Sequence, residues 1–204
     1  MLKVIISIVF AISLLNSAEL SSTNGCELSQ VGEFGVNFKA FKTPSKIGVG
    51  GGFDSVNYKA ASLSGESLQD IFVGSSVNIE TKSVNSKNPG RDAKLVESFF
   101  YVMVGKNISA KIIAIKDDKK AEAGQRTGSL LVEINMNNIV KEVPMRFTYN
   151  AGVFVAEGVI DVFDFNASKA LSSINKACFG LHQGKTWNDV NIGFTTSIKS
   201  AGCE

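Results

Sequence analysis

The segment that decides the fold runs from Gly128 to Phe165, GSLLVEINMNNIVKEVPMRFTYNAGVFVAEGVIDVFDF. Leu130, Val132, Ile134 and Met136 alternate with Ser129, Glu133 and Asn135, the period of a strand with one face buried. Asn137-Asn138 then supplies a two-residue link that tolerates positive φ, and the chain reverses into 139–149, where Val143, Met145, Phe147 and Tyr149 carry the apolar face. Asn150-Ala151-Gly152 turns it again. The third run, 153–165, sets Phe154, Ala156, Gly158, Ile160 and Val162 opposite Glu157 and Asp161. Three long antiparallel strands in succession make a meander, and strands this long favour a sheet closed on itself, because closure removes unpaired edges.

The flanking sequence extends the pattern. Apolar alternation predicts further strands at 31–42, 47–60, 68–84, 108–116 and 188–200, which with 128–136, 139–149 and 153–165 makes eight. The glycines from Gly48 to Gly52 precede strand-like sequence and not a helix, so they read as a barrel bend and not as a phosphate cradle. A short helix is predicted at about 90–97. An amphipathic one follows at about 167–183, with Leu171, Ile174, Cys178 and Leu181 in one stripe and Gly184 at its end. The polar stretch 117–127 is a solvated hairpin end. The expected architecture is all-β, an eight-stranded antiparallel barrel with two helices.

Residues 1–18, MLKVIISIVFAISLLNSA, have the lysine, the short apolar run and the small-residue end of a cleaved signal peptide, leaving 19–204 as a single domain. Export implies an oxidising compartment, where disulfides persist. In a ring of eight strands the last lies antiparallel to the first, which brings Cys26 near Cys203, and a disulfide between them is predicted. A loop this long contributes roughly 4–5 kcal/mol when the bond is unstrained. Cys178 belongs to the helical stripe and reads as a buried thiol.

The composition removes several classes of function. Lysine plus arginine (21) nearly balances aspartate plus glutamate (19), with no long basic run, so nothing points to nucleic acid. No nucleophile elbow, HExxH or CxxC occurs. The single histidine, His182, has only Cys178 at helical spacing, which is too little for a metal site. No enzyme, metal or cofactor is expected. Asp164-Phe165-Asn166-Ala167-Ser168 contains a glycosylation sequon, but it also suits a strand end followed by helix capping at Asn166 or Ser168, the preferred reading.

Several short motifs, taken jointly and in order, resemble the YceI-like proteins, the lipocalin-like polyisoprenoid-binding proteins of bacterial envelopes. They are Val36-Asn37-Phe38, Ser83-Val84 leading to Arg91-Asp92-Ala93-Lys94-Leu95 and Phe99-Phe100, the hairpin Asn137 to Val143, and Asp164-Phe165-Asn166. The resemblance covers the whole mature chain. It implies a lipocalin-like barrel in the periplasm that binds, transports or stores a long apolar lipid, a polyisoprenoid, an isoprenoid quinone or a fatty amide. Fourteen phenylalanines without a catalytic constellation agree with that use. Burying about ten ligand methylenes would contribute on the order of 8 kcal/mol before entropic costs, enough for roughly micromolar retention.

The expected lining comprises Phe34, Phe38, Val77, Ile79, Ile112, Leu130, Val132, Ile134, Phe147, Phe154, Ile160, Ile192 and Phe194, each equally able to serve as plain core. Arg91 and Asp92 are the candidates to meet a ligand head, weighed evenly against a charge pair that ties down the 85–100 connection. The alternative function is a filled, ligand-free barrel acting as an interaction module for an envelope electron-transport or stress-response partner. Membrane contact is expected to be transient, and a homodimer is the general expectation.

Overall fold

The meander forms as its pattern dictates except at its far end, where the strand expected over 153–165 stops at Asp161, whose carboxylate accepts from Phe163 N–H and turns Val162–Phe165 into a 3-10 turn. In the computed structural model, which describes residues 26–118 and 125–202, Asn137 and Asn138 both adopt positive φ (55° and 59°). They hold Met136 opposite Ile139, and Ala151-Gly152 does the same for Asn150 and Val153. Every register pair from Gln125↔Asn150 to Met136↔Ile139 keeps Leu130, Val132, Ile134, Val143, Met145 and Phe147 on the buried side.

In chain order the strands are β1 (Glu27–Lys42), β2 (Ile47–Phe53), β3 (Val56–Lys59), β4 (Ser64–Gly65), β5 (Ser76–Glu80), β6 (Val84–Asn85), β7 (Asn107–Asp117), β8 (Gln125–Met136), β9 (Ile139–Asn150), β10 (Val153–Asp161) and β11 (Asp189–Ala201). The helices are α1 (Leu68–Phe72), α2 (Pro89–Ser98), α3 (Ser168–Ala177) and α4 (Phe179–His182). All pairings are antiparallel. From β1 they run through β11, β10, β9, β8 and β7 to β5, which pairs with β3, while β2, continuous with β3, pairs with β1 and β6. The sheet thus curls round on itself.

The strand count differs from the expected eight, and local chemistry explains why. The 47–60 strand breaks at Asp54-Ser55, where Asp54 N–H donates to Ser83 O and Ser55 N–H to Ser83 Oγ. The glycines expected to bend the chain lie within β2, and they serve close approach: a Cβ on Gly52 would sit 2.8 Å from Val36 O. The 68–84 strand is overturned in its first half. Ser67-Leu68-Gln69-Asp70 is a capping box, with reciprocal bonds between Ser67 and Asp70, and it starts α1. Leu68, Ile71 and Phe72 then fall at i, i+3 and i+4 and are at most 1% exposed.

The two helix expectations fare differently. Asn88 caps α2 by accepting from Arg91 N–H, with proline in the first turn. The predicted 167–183 helix is interrupted at Cys178, giving α3 and α4. Its expected cap is also absent: the N-cap residue is Ala167, while Asn166 takes left-handed φ of 53° to close the preceding turn.

Aromatic rings organise the core. Phe154 is fully buried and packs at 4.4 Å from Phe72, 5.0 Å from Phe147 and 5.8 Å from Phe194, centroid to centroid. Gly128 makes room for Phe147, since a Cβ there would lie 2.4 Å from its ring. At the seam Glu27 pairs with Ala201. The expected Cys26–Cys203 bond falls partly on Cys203, outside the described residues, as do the signal peptide and 119–124. Beside the described ends of β7 and β8, Arg146 hydrogen-bonds Asp118 and holds its carboxyl below the usual range.

Candidate functional site

Two layers of side chains divide the barrel interior. Below, α1 plugs one end with Phe72 against Phe154 and Phe194. Above that layer lies a cavity of about 610 Å³, within the usual range for small-molecule sites. Its walls follow strand parity. Phe34, Val36, Phe38 and Ala40 line it from β1, Val132, Ile134 and Met136 from β8, and Val190, Ile192 and Phe194 from β11. Val77 and Ile79 of β5, Ile112 of β7, Met145 of β9 and Ile160 of β10 complete the ring.

Of the expected lining, Phe34, Phe38, Val77, Ile79, Ile112, Val132, Ile134, Ile160, Ile192 and Phe194 stand around the cavity. Leu130, Phe147 and Phe154 do not. They share the inward parity of their strands but belong to the closed core, at 2%, 1% and 0% exposure, Phe154 lying against Phe72 of α1 and Phe147 stacking on Phe154. Arg91 reaches the cavity wall, yet its guanidinium donates to Ser86 Oγ (2.7 Å) and Ser86 O (2.6 Å). Asp92 is not a lining residue. Its carboxylate accepts from Ser86 N–H at 2.9 Å, a bond inside the connection itself, and no ion pair joins it to Arg91 among the described residues.

The far end is closed over by helices. Leu95 of α2 shares a helical face with Arg91 and, with Phe99 and Phe100 beyond it, contributes to the wall. Leu171, Ile174 and Cys178 from α3, with Leu181 and His182 from α4, do the same. The stripe from Leu171 to Leu181 was legible as amphipathic, but a stripe says only that something apolar faces it. Leu181 lines the cavity while 66% exposed, which locates the mouth at α4. Trp187, also unanticipated, stands there with its Nε1–H donating to Thr43 O at 2.8 Å and Lys46 and Lys185 over its ring.

His182 sits in a polar network at this mouth. Thr186 Oγ1 donates to Asn175 Oδ1 (2.9 Å), so its oxygen accepts from His182 Nδ1–H at 2.7 Å. This assigns the proton to Nδ1 and leaves Nε2 as an acceptor. Burial pushes the imidazole pKa below its ordinary 6.5, and the charges of Lys42 and Lys94 push it further. Neutral His182 therefore supports the fold above the unfolded pKa, and that support is lost as pH falls below it, where the unfolded chain takes up a proton first. Since this is the chain's single histidine, proton NMR of the imidazole should give one titration with a midpoint below 6.5. A midpoint at or above that value would refute the described environment.

A curled antiparallel barrel, plugged at one end and hollow beneath a helical cover at the other, defines the class: a cavity-bearing β-barrel. The family model of the YceI-like domain matches residues 27–198, and the chain belongs to that family. A search of curated proteins finds no match. Among solved structures, a polyisoprenoid binding domain from Saccharophagus degradans implicated in plant cell wall breakdown is similar at TM-score 0.59 and 11% identity, covering 87% of this chain and 99% of that one. Burkholderia cenocepacia BcnA is similar at TM-score 0.52 and 12% identity, covering 81% and 96%. A Campylobacter jejuni YceI protein is similar at TM-score 0.51 and 17% identity, covering 75% and 85%. At these identities the likeness is one of fold. Among the described residues no helix is long and apolar enough to cross a membrane, and no cluster of potential metal ligands occurs.

Proposed function

We propose that the protein is a non-enzymatic carrier or store of a long apolar lipid, acting in the bacterial periplasm after export. The observation that carries this reading is the apolar cavity of about 610 Å³, whose walls are supplied by almost every strand of the barrel. A filled barrel would suit an interaction module, and large side chains meeting across the axis would be its mark; here the upper interior is open. The polyisoprenoid binding named for the Saccharophagus degradans domain supports the same ligand class, as does family membership. The ligand candidates are a polyisoprenoid, an isoprenoid quinone or a fatty amide. The Cys26–Cys203 disulfide belongs to this reading, since it would staple the seam in an oxidising compartment; intact mass with and without reductant checks it.

Native mass spectrometry of protein from its own host, followed by organic extraction, tests the function. A stoichiometric isoprenoid or acyl chain is expected. An empty protein that also refuses added quinone, amide and fatty acid would sink the proposal.

Loading requires contact with a bilayer, and the mouth carries suitable groups. Phe179 and Leu181 on α4 are 63% and 66% exposed beside Lys176 and Lys185. Transient binding to anionic vesicles should appear in flotation assays and fall several-fold in the Phe179→Ser, Leu181→Ser double variant. Equal flotation of both proteins would remove α4 as the docking element.

A further inference from the structure

The apolar cavity has a polar end with charge of only one sign. Its lining includes Lys42, Arg91, Lys94, Lys111 and His182 but no aspartate or glutamate. Two of these cations are accounted for. Arg91 is engaged by Ser86, and Lys111 is exposed on the outward parity of β7. Lys42 and Lys94 remain. Both are half-buried, and neither joins any of the ion pairs found among the described residues.

Their placement follows from the fold. Lys42 continues the inward parity of Phe34, Val36, Phe38 and Ala40, so the strand that supplies apolar wall ends in an inward-facing ammonium group. Its backbone bridges to Thr186, the residue that holds His182. Lys94 comes from α2, one turn beyond Arg91. The two lysines approach the imidazole from different elements closely enough that both disfavour its protonation. The nearby carboxylate at this rim, Asp189, is already taken by Lys46 at 2.7 Å. Leaving two ammonium groups half out of water without a counter-charge is costly, and the cost is recovered when an anion arrives.

We propose that Lys42, Lys94 and His182 form a head-group site at the cavity mouth, and that the lipid it takes is an amphiphile ending in an oxyanion, a carboxylate or a phosphate. The apolar chain lies along the ring from Phe38 to Phe194, and the head sits between the two ammonium groups, within reach of the imidazole. The anion offsets the lysines' field on His182, so the imidazole pKa rises as the ligand binds, with burial still holding it down. An alcohol or amide of the same chain length gains none of this. The inference rests on the lipid-carrier reading and narrows it.

The test uses delipidated mature protein and four probes of one chain length: hexadecanoic acid, hexadecyl phosphate, hexadecanol and hexadecanamide. One or both anions are expected to bind about tenfold or more tightly than the neutral pair, the size of one charge-assisted hydrogen bond. Whichever anion wins names the source of the head. Lys42→Met and Lys94→Met should each remove most of that preference, with a circular dichroism melt of each variant showing that it folds. The His182 NMR titration should move to higher pH with the anion and not with hexadecanol. Equal affinity for all four probes, or a preference that survives both lysine substitutions, would overturn the head-group site and leave the lipid reading standing. Failure of all four to bind would overturn the head-group site, and the lipid reading falls with it only if added quinone is refused as well.

Discussion

Replacing Phe154 by alanine is expected to destabilise the protein by about 3–5 kcal/mol, lowering the melting temperature by roughly 6–20 °C for a domain of this size. The ring is fully buried and meets Phe72, Phe147 and Phe194 within 5.8 Å, so its removal leaves a void walled by rigid aromatics that cannot collapse into it. It also loosens the plug, because Phe72 of α1 rests on the same face. Phe38→Ala gives the contrast. Phe38 is only partly buried and borders open cavity, and its loss should cost distinctly less. Thermal melts of the two variants check the division of the interior into plug and cavity. Equal losses would mean that no such division exists.

The largest functional effect is expected from Ala110→Trp. Ala110 lies on β7 between Val77 of β5 and Ile134 of β8, with its side chain toward the cavity. An indole there enters the lumen without touching the ladder hydrogen bonds, and overpacking should cost the fold about 1–3 kcal/mol at most. If the ring displaces about four ligand methylenes, the loss is about 3 kcal/mol, or roughly a hundredfold in lipid affinity. Lipid retention by native mass spectrometry, with a circular dichroism melt as control, reads both quantities. Unimpaired lipid uptake by a folded Ala110→Trp protein would place the ligand elsewhere.

How much of this was legible depended on how local the determining physics is. The Asn137-Asn138 turn and the alternations beside it needed only neighbouring residues, and β8 and β9 formed as read, while the third run ended as a strand at Asp161 and not at Phe165. The capping box at Ser67-Asp70 was equally local, but the apolar residues after it were read at period two when they belonged to a helical turn. At Asp54-Ser55 the break depends on Ser83, twenty-eight residues away, which no window of sequence contains.

The site divides along the same line. Strand parity identifies which side chains face inward, and Phe34, Phe38, Val77, Ile79, Ile112, Val132, Ile134, Ile160, Ile192 and Phe194 do border the cavity. Parity has no coordinate along the barrel axis. It therefore could not separate Ile134, beside the cavity, from Leu130, four residues along the same strand and buried away from it. Nor could it place Lys42 and Lys94 together, since they lie on a strand and a helix joined only by folding. The sequence by itself determined a one-sided meander, its turns and the inward faces of its strands, because alternation and turn chemistry act between neighbours. The tertiary structure alone decided where the interior is filled, where it is hollow and which charges meet at its mouth, because those depend on segments brought together from distant parts of the chain.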